Sequence, residues 1–202
     1  FYSCHSIEID ELGFNMEHVL NEVAKHMENY DALAIFNLTT ICFETILNNI
    51  GCSHFIYKNA LYTLIKLLCY SWCFSSVESR VKTYYIDLVS KFGDAFISGK
   101  SNLFILSLFN VAGCGKSQFS KNALILAKSF FDYIKEKQFD KEILNKTINQ
   151  LISFFPKSTS LYSMLFGFYT IIKYFPQYVR LDHIRSFLIQ TTDVQPNDKE
   201  FG

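Results

Sequence analysis

No apolar stretch of this chain reaches the length a membrane crossing requires. The longest charge-free windows, Ser101 to Gly115 and Ser158 to Ile172, hold 15 residues each and are closed by lysines on both sides. A spanning helix needs about 20, so both windows read as buried central helices and no membrane span is expected. Arginine is scarce: Arg80, Arg180 and Arg185 are the only three among 19 basic residues. Arginine is the side chain suited to bidentate recognition of phosphates and bases, so nucleic-acid binding gains no direct support from composition. The five histidines (His5, His18, His26, His54, His183) are scattered. None pairs with another at metal-ligand spacing, and no Ser, His and Asp group can be nominated. No enzyme activity is therefore expected.

The cysteines are badly placed for a disulfide scaffold. Cys4, Cys42, Cys52, Cys69, Cys73 and Cys114 sit mostly inside apolar helical stretches, without the short, loop-rich framework of small secreted domains. This implies a reducing, intracellular location, cytoplasmic or nuclear. Cys69 and Cys73 are four apart, and Cys52 lies two residues before His54. A structural zinc site shows two close pairs on turns, whereas cysteine in an apolar helix behaves as a small hydrophobe. Neither a metal nor another cofactor is expected.

What the chain does have is apolar side chains at helical spacing. Half of its 202 residues are apolar, with 21 Phe and 12 Tyr, and rings in such numbers must fill wide spaces between helices. The periodicity predicts helices near 15–29, 32–50, 54–73, 76–97, 102–112, 117–137, 141–155, 159–175 and 178–191, with no strand. Ser75 with Glu78 matches a capping box, Asp140 can cap the following start, and Pro156 and Pro176 end helices. In the seventh helix Leu144, Ile148, Leu151, Ile152 and Phe155 form one apolar stripe, opposite Lys141, Asn145 and Asn149. The domain organisation read from this is an extension over 1–13, a helical domain over 14–192 and a polar tail over 193–202. Because the chain opens on Phe1 rather than Met, a piece of a longer protein is expected.

Internal similarity points to stacked helix pairs. Gln150 to Pro156 and Thr170 to Pro176 share an apolar, polar, aromatic, Phe, Pro order 20 residues apart. Asn59-Ala60-Leu61 before Leu64, Ile65 and Lys66 parallels Asn122-Ala123-Leu124 before Ala127 and Lys128. Helices of this length joined by short turns, about 40 residues per pair, are what stacked helical hairpins require, since one hairpin cannot bury both faces alone. In that layout the chain resembles the armadillo and HEAT-like helical repeat proteins, over most of its length. The resemblance implies an all-α superhelix of about nine helices serving as an interaction scaffold; the alternative arrangement is a compact, irregular multi-helix bundle.

One string invites a catalytic reading. Asn110-Val111-Ala112-Gly113-Cys114-Gly115-Lys116-Ser117 follows an apolar run and is similar to a phosphate-binding P-loop. There glycines would let backbone N–H groups wrap phosphates while Lys116 and Ser117 reached phosphate and magnesium. However, Asn110 stands where the first glycine belongs, and no second strand appears to supply the acidic metal partner. The simpler reading is that Gly113 and Gly115 end one helix in left-handed geometry and Lys116-Ser117 open the next. A degenerate nucleotide-binding protein is kept as an alternative function.

Net charge is zero but unevenly spread. Residues 1–60 carry two lysines against eight acidic residues, and residues 61–202 carry 17 basic against 11 acidic. Lys121, Lys128 and Lys135 recur every seven residues on one helix face. Such a stripe suits an acidic partner or, in a second alternative, nucleic acid. The aromatic surplus supplies further candidates for partner contact: Tyr84, Tyr85, Phe92 and Phe96 on the fourth helix, and Tyr162, Phe166 and Tyr169 on the eighth. The expected function is a non-catalytic scaffold that binds a protein partner with an acidic or amphipathic segment, or a second copy of itself. Aromatic rings would take the partner's apolar anchors, and lysines would line the rim.

Overall fold

The apolar periodicity resolves into helices alone in a computed structural model, which describes residues 15–49, 58–113, 118–137, 140–154 and 161–192. Nine helices pack against one another among the described residues, and no strand occurs there. They are α1 (15–25), α2 (Ala32–Asn48), α3 (Lys58–Ser71), α4 (Glu78–Ile97), α5 (Leu103–Ala112), α6 (Gln118–Glu136), α7 (Lys141–Phe154), α8 (Leu161–Tyr174) and α9 (Leu181–Thr192). Short 3-10 turns lie at Met27–Asn29 and Pro176–Tyr178.

Helix ends have local causes. Asp31 accepts bonds from the N–H groups of Leu33 and Ala34 (3.2 and 3.3 Å) at the start of α2. Asp140 does the same for Glu142 and Ile143 (2.8 and 3.3 Å) at the start of α7. At the end of α4, Gly99 adopts φ +71°. The N–H of Gly99 bonds to the Phe96 carbonyl (3.0 Å) and that of Lys100 to Ala95 (2.8 Å), a Schellman closure in which only glycine avoids a Cβ clash. The Ser75 capping box does not form. Val77 is the N-cap of α4, with no side-chain cap, because the preceding turn donates the Val77 and Glu78 N–H groups to the Phe74 carbonyl (both 3.1 Å). Pro156 lies outside the described residues.

Contacts between alternate helices give the stack its direction. Asn59 of α3 donates to Glu17 of α1 (3.0 Å), and one turn further along both helices Thr63 donates to Asn21 (3.0 Å). The two helices thus run parallel at a separation of 42 residues. On α4, Tyr84 donates to the Thr40 carbonyl of α2 (3.5 Å) and Lys91 to Glu44 (3.0 Å), at separations of 44 and 47. Between them, α5 and α6 form an antiparallel hairpin, with Phe104 near Phe130 at one end and Ser120 bonded to the Val111 carbonyl at the other. Two rows result. One runs α1, α3, α5, α8 and the other α2, α4, α6. Beyond α6 the spacing changes, since α7 packs on α4 and α8 on α5, three helices back instead of two.

The rings go mainly inside. Phe43, Phe92, Phe96, Phe104, Phe109, Phe130, Phe131 and Phe175 are almost fully buried, and a chain of ring contacts links α2, α4, α5, α6 and α8. Within it Phe92 stacks on Phe104 at 4.2 Å. One continuous core runs from Leu20 to Phe187. Some buried hydroxyls bond within their own helices, as Thr39 does to the Ile35 carbonyl (2.6 Å) and Thr170 to Phe166 (2.7 Å), and others, such as Thr63 and Ser120, bond to a neighbouring helix.

Candidate interaction face

The aromatic candidates separate into two groups. Those on α4 are structural: Phe92 and Phe96 are buried, Tyr85 stacks on Trp72 at 5.0 Å, and Tyr84 lies edge-on to Phe36 at 5.9 Å. Burial, followed by the nearby Glu44 and Asp87 carboxylates, pushes the Tyr84 phenol well above its ordinary pKa, so it stays neutral. This face of α4 is turned into the rows because its apolar positions 81, 85, 88, 92 and 96 follow one stripe. Phe92 is accordingly not available to a partner.

On α8 the outcome is different. Phe166 is half-buried against Phe109 (5.6 Å), whereas Tyr169 is 62% exposed. The side chain of Tyr162 lies outside the described residues. Flanking Tyr169 on the same helical face are Leu165 and Ile172, 46% and 40% exposed, at the i, i+4, i+7 spacing of a single stripe. Within the described part of the charge-free window 158–172, α8 buries Phe168 and Ile171 on one side and leaves Leu165, Tyr169 and Ile172 exposed on the other, so it is not buried all round as expected. Lys173 is exposed at the border of this face. Lys173 sits over the Tyr174 ring (5.6 Å), and α9 joins α8 through Phe168 stacked on Phe187 (4.2 Å).

The lysine stripe forms a second, separate surface. Lys121, Lys128 and Lys135 are all exposed on α6, with exposed Leu124 and Ile125 between the first two. Acidic Asp132 interrupts it, pairing with Lys128 at 3.5 Å. The stripe meets α8 at Tyr174, whose phenol is raised by burial and then by the Asp132 carboxylate. Tyr174 and Tyr169 are five residues apart, about 140° around the helix. The α6 lysines therefore do not rim the Tyr169 stripe; Lys173 does.

Sequence reasoning missed Leu165, Ile172 and Lys173. A signal was present: between 165 and 175 apolar residues occupy both sides of α8, one more face than its core contacts use. The two heptamers of shared residue order also diverge here. Ile152 is buried in α7, and its counterpart Ile172 is exposed in α8.

The P-loop reading loses its strand. Residues Leu103–Ala112 form helix α5, and Gly113 caps it with φ −81°, right-handed rather than left-handed as expected. Gly115, Lys116 and Ser117 lie outside the described residues. Among the described residues no group of three metal-ligating side chains occurs, and no helix is long and apolar enough to cross a membrane. A shallow depression of about 610 Å³ is lined by Glu142, Asn145, Lys146, Asn149 and Gln150, all on the outer face of α7. Cys69 is fully buried, and burial, with Cys73 nearby, holds its thiol far above the usual range. No protein-family model, curated protein or solved structure matches the chain.

Proposed function

We propose that the protein is a non-catalytic interaction scaffold of the armadillo or HEAT-like kind, whose working surface is the outer face of α8. Leu165, Tyr169 and Ile172 take apolar anchors from a helical partner segment, and Lys173 favours acidic residues beside those anchors. Exposure of Tyr169 between two aliphatic side chains supports this reading, since a stable helix with no partner for that face would carry polar residues there. The parallel contacts at separations of 42 to 47 support the repeat-like class. An intracellular site accords with the free thiols of Cys42, Cys69 and Cys73.

Display selection of helical peptides against the intact chain tests the reading. Enriched sequences should carry apolar residues at i, i+4 and i+7 with acidic neighbours, and Tyr169→Glu should weaken them at least tenfold, about 1.4 kcal/mol. Peptides that bind wild type and Tyr169→Glu equally would refute it.

A further inference from the structure

Helix α1 is lightly held. Among its described residues Leu20 alone is fully buried, while Met16, Val23 and Ala24 are half-buried against the core. Its neighbour α3 buries Leu61, Leu64, Ile65, Leu67 and Leu68. An element with so few buried apolar contacts opens locally at a fraction of the cost of global unfolding. Opening of α1 uncovers a seat of defined chemistry on α3. Leu20 leaves an apolar trough, and beside it stands the Thr63 hydroxyl, 5% exposed, which in the closed state donates to Asn21 (3.0 Å). One turn earlier is the exposed Asn59 amide, which donates to Glu17 (3.0 Å). Met16, Leu20, Val23 and Met27 follow the i, i+4, i+7, i+11 spacing of a helix laid in an apolar groove.

We propose that this seat on α3 is a second binding site, for an amphipathic partner helix, and that α1 fills it as a built-in competitor. The cis helix shows the chemistry the seat accepts: a leucine, a carboxylate three residues before it and an amide directly after it, as in Glu17, Leu20 and Asn21. Thr63 sets the specificity, because an incoming helix without an acceptor at that register leaves a buried hydroxyl unpaired. Tethered through residues 26–31, α1 competes at a high effective concentration. A partner therefore enters only during openings, and its apparent affinity falls by the fraction of time the seat is vacant. The site is separate from the α8 face, since α5 lies between α3 and α8 in the row.

Amide hydrogen exchange of the full 202-residue chain, and binding of a fluorescent peptide of sequence 15–31, test this. In wild type, amides of 20–25 should exchange at least about a hundredfold faster than those of 88–96. Leu20→Glu, which unseats α1, should bind the peptide at least about tenfold more tightly than wild type. Leu20→Ala, a milder change, should move binding the same way, and circular dichroism should show both variants folded. A peptide carrying Asn21→Leu should bind the Leu20→Glu chain at least about tenfold more weakly, and adding Thr63→Val to that chain should remove the difference between the two peptides. Tyr169→Glu should leave peptide binding unchanged. Exchange over 20–25 as slow as over 88–96 would overturn the proposal, as would folded Leu20 variants that bind the peptide no better than wild type. Binding that Tyr169→Glu abolishes would also overturn it, by placing the peptide on α8 and leaving the scaffold reading standing.

Discussion

Phe92 and Tyr169 look alike in the sequence, each an aromatic residue on an apolar helical stripe, and the fold gives them opposite fates. Phe92 is 1% exposed and stacked on Phe104, so Phe92→Ala should cost about 3–5 kcal/mol in urea unfolding. Tyr169→Ala should change stability by no more than about 0.5 kcal/mol while weakening partner binding. Periodicity made both visible; the neighbours that cover one and leave the other open are set by long-range packing, which no local pattern encodes. Gly93 was equally illegible. A Cβ there would lie 2.6 Å from the Tyr133 ring, and Tyr133 cannot swing aside without losing its bond to Asp94 (2.8 Å). Although alanine gains about 1 kcal/mol in helix propensity, overpacking costs about 1–3. Gly93→Ala should therefore destabilise, and in a Tyr133→Ser background the same change should become neutral or stabilising. Asn122 is a third such case. It donates from α6 to the Cys69 carbonyl of α3 (3.0 Å) while nearly fully buried.

At the scale of the element, helix existence was legible throughout the described residues because 3.6-residue periodicity is a local property, and the ends were legible where a side chain makes the cap. Asp140 fits that rule. Ser75 does not, because a backbone turn satisfied the same donors first. Gly99 closes α4 with positive φ, and a Cβ there would also approach Ile143 at 3.2 Å. Gly99→Ala should cost about 1–2 kcal/mol, read as a lowered urea midpoint. The joint between α2 and α4 carries an exposed ionic bridge. Lys91 lies 2.8 Å from Asp87 and 3.0 Å from Glu44, and these bonds raise its ammonium above the ordinary lysine value, Asp87 contributing most. A raised pKa means the stabilisation is complete below the ordinary value of 10.5 and is lost as pH climbs through the folded one. Solvent exposure keeps it small, about 0.2–1 kcal/mol. The stability difference between wild type and Lys91→Met should shrink in high salt and vanish at strongly alkaline pH.

For the whole molecule, the expected helix count and the spacing of about 40 residues per pair match the contacts among α1 to α6, because each hairpin repeats the same burial problem. The departure after α6 was not legible, since it depends on which earlier helix α7 and α8 find rather than on their own sequences. After that departure α9 covers one side of α8 through Phe187 while Leu165, Tyr169 and Ile172 stay exposed on another, and the function proposed rests on that face. Amide hydrogen exchange, with and without a saturating selected peptide, tests it most directly. Protection should rise over 161–192 and stay unchanged over 78–97. Protection appearing along α4 or the α6 lysine stripe, with α8 unaffected, would contradict the account.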